Sequence, residues 1–310
     1  MMKPGYGRPL YLLPFDHRHS YLTGMFHVAP PLTAEQREAV IDSKQVIYDG
    51  FRQALDHGVP AAWAGILVDE EFGAGILRDA ARHGYVTALS TEKSGSHEFE
   101  FEYGPSFAEH IEAFEPTFAK ALVRYNPDGD AALNQRQTAR LRQLSEYCRA
   151  ADRLFMFELL VPATEEQKER VRGDEAAYDR LMRPGLMLRA ISTLQDAGVE
   201  PDIWKIEGLD RREDCELLVG TARRDGRHGV GCIVLGRGVD EERVTGWLET
   251  AASVQGFIGF AVGRTTFWEP VADYVAKRAT FQEAASRIAE RYRGWVTIFE
   301  RVRQSSPITA

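Results

Sequence analysis

Eight short apolar runs recur along the chain, at 10–15, 64–68, 86–90, 119–125, 154–161, 202–207, 231–235 and 256–262. They are too short for ordinary helices and nearly unbroken in hydrophobicity, the pattern of strands buried on both faces. Between and after them apolar positions recur at helical spacing, over 34–55, 73–83, 107–114, 133–149, 175–197, 211–224, 241–254 and 274–302. Strands alternating with helices predict a parallel sheet, and eight such units predict a closed (β/α)8 TIM barrel more than an open sheet. The whole chain, 1–310, is read as one domain, since α/β barrels of this length form a single core. Neither a sequence repeat nor a low-complexity linker interrupts it. The least regular stretch, 92–116, contains Glu98-Phe99-Glu100-Phe101-Glu102-Tyr103. It is either an extra strand or a loop folded over the barrel mouth.

A parallel barrel places its chemistry at the carboxyl ends of the strands. Those ends carry Asp16-His17-Arg18, Asp69-Glu70-Glu71, Glu92-Lys93-Ser94, Arg124-Tyr125-Asn126, Gly236-Arg237-Gly238 and Gly263-Arg264-Thr265, while Glu158 lies within the fifth run. In the sixth run, Ile203-Trp204-Lys205-Ile206-Glu207-Gly208, alternation puts Ile203, Lys205 and Glu207 on one face and Trp204 and Ile206 on the other. Burying an unpaired ammonium is costly, and a lysine that sheds its proton instead becomes a carbonyl nucleophile. The neighbouring cations expected to favour that loss are Lys93, Arg18 and Arg124. A structural ion pair with Glu207 or Glu158 is the plain alternative. Lysine is scarce, seven of 38 Lys and Arg residues, so its use inside a strand suggests a task that a permanently charged arginine cannot perform. Glu158, between Phe157 and Leu159, is a candidate acid/base. The glycine turns after the seventh and eighth runs, with Arg237 or Arg264, suit a phosphate cradle, although either could be a plain turn.

Charge and cysteine content narrow the partners. A net charge of -8 argues against nucleic acid and acidic membranes and leaves room for a local cationic pocket. Cys148, Cys215 and Cys232 are odd in number and lack short paired spacing, so neither a disulfide framework nor a cysteine zinc site is expected. A reducing cytoplasm fits that usage. The first fourteen residues do not read as a secretory signal, and no apolar run reaches the ~18 residues of a membrane span. The carboxylates Asp16, Asp69, Glu70 and Glu71 keep a divalent-metal enzyme open as a rival, while His17-Arg18-His19 lacks zinc-type spacing.

Several segments together resemble a known family. They are 12–18 (LLPFDHR), 65–73 (GILVDEEFG), 92–95 (EKSG), 122–127 (LVRYNP), 157–162 (FELLVP), 204–208 (WKIEG) and 260–265 (FAVGRT). The chain is similar over nearly its whole length to the 2-deoxy-5-keto-gluconic acid 6-phosphate aldolase domain of inositol catabolism. More remotely it resembles the class I tagatose-bisphosphate aldolases. The resemblance implies a Schiff base on Lys205, proton handling by Glu158, a catalytic strand-one aspartate at Asp16 and phosphate held by Arg264. Gly236, Arg237 and Gly263 would complete the phosphate site, and Arg18, Lys93 or Arg124 would meet a carboxylate. It implies no cofactor and no metal. The products would be dihydroxyacetone phosphate and malonate semialdehyde, and the sugar-acid kinase often fused to this domain would be encoded separately. The remoter group has a lysine where this chain has Arg124, so its proton relay is expected to differ. A transaldolase, an aldolase for another phosphorylated or sulfonated ketose, and a non-catalytic sugar-phosphate sensor remain alternatives, and a homo-oligomer stays open.

Overall fold

The computed structural model describes residues 4–305 and closes eight strands into a barrel in the order β1 to β8. The ends of the expected 1–310 domain, 1–3 and 306–310, lie outside the described residues. The strands are β1 (Leu10–Pro14), β2 (Ala64–Val68), β3 (Val86–Ser90), β4 (Phe118–Arg124), β5 (Leu154–Leu160), β6 (Ile203–Glu207), β7 (Gly231–Leu235) and β8 (Phe257–Ala261). Every neighbouring pair is parallel, including the closing pair β1 and β8. Each predicted run therefore becomes a strand, with ends shifted by a residue or so.

The near-continuous apolar runs follow from two buried faces. Outward residues such as Tyr11, Leu13, Trp204 and Ile206 pack under the helices. Inward residues, among them Leu10, Leu12, Leu67, Phe118, Met156, Ile203 and Ile233, form a separate apolar plug inside the barrel. By the two-residue period, inward Phe118 is followed by inward Lys120, Leu122 and Arg124, and inward Ile203 by inward Lys205. The charged residues thus lie above the plug, toward the carboxyl ends. The bottom of the barrel is a greasy floor; its upper half is polar.

Two predicted helices are broken. The span 175–197 divides into Glu175–Leu181 and Arg183–Asp196 and is preceded by Glu165–Arg170. Pro184 accounts for the break: it lacks an N–H and is favoured in a first helical turn, where it sits. The span 274–302 divides into Arg264–Val275 and Phe281–Ser305. Lys277 between them takes a left-handed φ of 58°, and Thr280 starts the second helix through a reciprocal pair of bonds with Glu283. This last helix lies against Ala34–Asp56. A Cβ on Gly50 would come within 2.7 Å of Ile288, so only glycine permits that approach.

The irregular 92–116 stretch is a loop over the barrel mouth, tied by a single antiparallel bridge between Glu92 and Phe101, before the helix Phe107–Phe114. The three cysteines are free and buried. Among the described residues no helix is long and apolar enough to cross a membrane.

Candidate functional site

A cleft opens at the carboxyl ends of the strands, lined by the residues expected to bind substrate or carry the chemistry: Asp16, Glu158 and Lys205 below, Arg18, Lys93, Arg124, Gly236, Arg237, Gly263 and Arg264 around them. Strand register creates the centre. Glu158 of β5 stands directly beside Lys205 of β6, and the side chains meet at 2.8 Å from Oε1 to Nζ. The other oxygen of Glu158 lies 2.8 Å from the Nζ of Lys120, which rises from β4 beneath the cleft. Lys120 also holds Asp16 at 2.7 Å and Glu92 at 2.6 Å. Glu92 is fixed in turn by the Leu122 amide, which donates to its second oxygen at 3.2 Å.

The two lysines consequently differ. Burial alone would lower the proton affinity of Lys120, but Asp16, Glu158 and Glu92 outweigh it and hold its pKa well above the ordinary lysine value. Lys120 is a fixed ammonium. Lys205 has one carboxylate in ion-pair contact among the described residues, Glu158, and its side chain borders the cleft. Burial would raise the carboxyls of Asp16 and Glu158, yet Lys120 with other nearby cations holds both below their usual range. His17 moves the opposite way: burial lowers its pKa to about 4 against the pull of Asp16, with Arg264 and Lys205 adding to the fall. Its ring is neutral near pH 7, and its Nδ1 is buried without a hydrogen-bond partner.

The cations expected around Lys205 are engaged elsewhere or stand at the rim. Arg18 is buried, 2.6 Å from Glu102, and donates to the Glu92 carbonyl at 2.5 Å, so it braces the mouth loop. Lys93 is exposed and lies 3.7 Å from Glu100. Among the described residues the Arg124 side chain reaches only the Ser96 carbonyl, at 3.4 Å. The expectation that these three crowd the Lys205 amine is therefore corrected: its near neighbour is a carboxylate, shared with Lys120.

On the other side, Arg237 adopts a left-handed φ of 53° and its guanidinium lies 2.7 Å from Asp179 and 3.3 Å from Glu207. Burial raises the Glu207 carboxyl, with Arg183 and Arg237 opposing. Arg264 donates to the Arg237 carbonyl at 2.7 Å, and among the described residues it forms no ion pair with a carboxylate. Burial lowers its pKa, with Glu158 opposing. It opens the helix Arg264–Val275, whose amino end meets the cleft at Gly263, a setting favourable to an anion. A Cβ on Gly263 would lie 2.3 Å from the Pro14 carbonyl, so the close approach of that turn to β1 requires glycine. Gly236 contributes no open amide, because its N–H donates to the Ala261 carbonyl at 3.3 Å.

The carboxylates that favoured a metal rival disperse. Asp69 pairs with the buried Lys44 and caps the helix Glu70–Arg82 by accepting from the Phe72 amide; Glu70 meets His110 and Glu71 meets Arg37. Among the described residues no cluster of three His, Cys, Asp or Glu side chains is arranged to hold a metal ion.

Lys120 is the central residue that the sequence pattern did not bring forward, and Glu92 stood there only as one of the strand-end charges. A signal for Lys120 was present: in Phe118-Ala119-Lys120-Ala121-Leu122 it is an in-strand lysine among apolar neighbours, as Lys205 is. Arg124, at the exposed end of the same strand, is the more conspicuous charge in the sequence. Nothing local distinguishes Glu92 from the other mouth carboxylates.

A family model described as "Uncharacterized protein conserved in bacteria (DUF2090)" matches residues 6–303. The chain belongs to the DUF2090 family. No curated protein matches it in sequence. Solved structures do resemble this DUF2090 chain in fold. A fructose-bisphosphate aldolase from Plasmodium falciparum, in complex with TRAP and a small-molecule inhibitor, has a TM-score of 0.63 at 13% identity, covering 99% of each chain. An archaeal fructose 1,6-bisphosphate aldolase has a TM-score of 0.57 at 13% identity, covering 93% of this chain and 94% of that one. Another archaeal fructose-1,6-bisphosphate aldolase, its catalytic lysine covalently bound to the carbinolamine intermediate of its substrate, has a TM-score of 0.56 at 13% identity over 93% of this chain and 95% of its own. The chain thus shares its barrel fold with these fructose-bisphosphate aldolases.

Proposed function

We propose that this DUF2090 protein is a class I aldolase that cleaves a phosphorylated keto sugar acid, with Lys205 as the Schiff-base residue. The observation that carries this reading is the inequality of the two lysines. Lys120 is held as an ammonium by three carboxylates, whereas Lys205 lies at the cleft with one carboxylate, Glu158, able to exchange protons with it. A reacting amine beside a proton carrier, over a permanent cation, is the set of groups that iminium chemistry needs.

The Lys205 amine adds to the substrate ketone, and the resulting carbinolamine loses water to give an iminium. That iminium draws the electrons of the bond to be broken, while Glu158, directly or through water, takes the proton from the hydroxyl beyond it. Carbon-carbon cleavage releases an aldehyde and leaves an enamine on Lys205. Protonation of the enamine carbon and addition of water then release the ketone and restore the amine. Lys120 keeps Glu158 and Asp16 in place throughout and offsets their charge. Arg264 and the start of its helix would hold the phosphate. With 2-deoxy-5-keto-gluconate 6-phosphate, the substrate favoured by the sequence resemblance, the products are dihydroxyacetone phosphate and malonate semialdehyde.

Borohydride reduction in the presence of substrate tests the assignment. The peptide carrying Lys205 should gain the mass of the reduced adduct, and Lys205→Met should gain none. An adduct on Lys93 or Lys120 in the parent protein overturns the assignment to Lys205.

A further inference from the structure

Six side-chain cations border the cleft: Arg18, Lys93, Arg124, Lys205, Arg237 and Arg264. Four have a carboxylate within 4 Å, respectively Glu102, Glu100, Glu158 and the pair Asp179 and Glu207. Among the described residues Arg124 and Arg264 have none; there each side chain donates only to a backbone carbonyl, of Ser96 and Arg237. In the closed order of strands, β4 and the turn after β8 stand opposite one another, and β6 with Lys205 lies halfway between. The cleft therefore has a charge-ready arginine at each end and the amine in the middle. An open guanidinium presents a planar fork suited to a carboxylate or phosphate.

From this arrangement we infer that Arg124 determines specificity by reading a second anion on the substrate, a carboxylate on the half that leaves as aldehyde, at the end of the cleft away from Arg264. The inference rests on the aldolase reading of the same site and sharpens it. Of the three cations that sequence alone offered to the carboxylate, Arg18 braces the mouth loop and Lys93 faces Glu100, which leaves Arg124. Its inward place on β4, above Lys120 and Leu122, points it over the cleft, and the Ser96 carbonyl holds it with a long bond that a charged ligand can replace. The substrate class is a ketose phosphate with an acid at its far end.

The test compares two substrates, 2-deoxy-5-keto-gluconate 6-phosphate and its uncharged C1 carboxamide. The parent protein should favour the acid in kcat/KM by roughly tenfold, at the low end for a charge-assisted contact because Arg124 is exposed. Arg124→Gln should lose that preference by slowing the acid and leaving the amide nearly unchanged, and Arg124→Lys should restore part of it. Lys93→Gln should keep the acid-to-amide ratio of the parent. An unchanged ratio in Arg124→Gln, with a borohydride-trapped adduct still forming, overturns the role of Arg124 and spares the aldolase reading. Failure of the parent to form an adduct with either compound overturns both. Arg124 lies at an exposed strand end, so its replacement leaves the core intact, and unaltered thermal unfolding of the variant confirms that the comparison is fair.

Discussion

Replacing Lys120 with methionine separates the electrostatics of the site from its chemistry. Methionine approximates the length of the lysine but leaves Asp16, Glu92 and Glu158 without the ammonium that holds them at 2.7, 2.6 and 2.8 Å. Removing one partner from a buried ionic cluster costs about 3–5 kcal/mol, because the charges left behind remain desolvated. For a chain of this size that is a fall in Tm on the order of 5–10 °C. Its pH dependence is specific. The carboxyls of Asp16 and Glu158 are depressed in the folded parent, so their contribution is present above their unfolded values and lost as pH falls through the folded ones. Lys120 itself is raised, so its contribution is present below the ordinary lysine value and lost as pH rises through the folded one. Neutral and mildly alkaline pH lie inside both windows. Without Lys120, burial acts on the carboxyls with less opposition and raises them, and protonation on acidification then relieves the repulsion. The Tm deficit of Lys120→Met should therefore be largest near about pH 8 and shrink toward about pH 5. Calorimetry or circular dichroism at the two pH values measures it. A loss below about 1 kcal/mol at the higher pH, or an equal deficit at both, would refute the account of Lys120 as a fixed ammonium.

Arg264→Ala should weaken a phosphorylated substrate by roughly ten- to hundred-fold and leave an unphosphorylated analogue little changed, since a partly buried charge-assisted contact contributes about 1.5–3 kcal/mol. Lysine at that position should rescue only part, and steady-state kinetics with both compounds decides it. Equal weakening of both substrates would move the phosphate site elsewhere. Activity should survive exhaustive dialysis against EDTA, because the iminium supplies the electron sink. Loss of activity restored by added metal would remove the class I reading.

The strand runs were legible in the sequence because hydrophobic periodicity is local: a strand buried on both faces must be apolar along its length. The same local logic marked Lys205, a lysine where neighbours Trp204 and Ile206 demand burial, and glycine turns marked the mouth near Arg264. What each charged group does was decided only by closure of the barrel. Asp16 and Lys120 are 104 residues apart, and Glu92 and Lys120 are 28 apart, yet both carboxylates meet one ammonium. Register between β5 and β6 sets Glu158 beside Lys205. No periodicity along one strand contains that information. The same holds for the mouth arginines, which are alike in sequence. Arg18 and Arg237 are neutralised by carboxylates brought from 84 and 58 residues away, while Arg124 and Arg264 are left open. A side chain's chemical role here depends on which opposite charge arrives beside it, and that is a property of the folded ring.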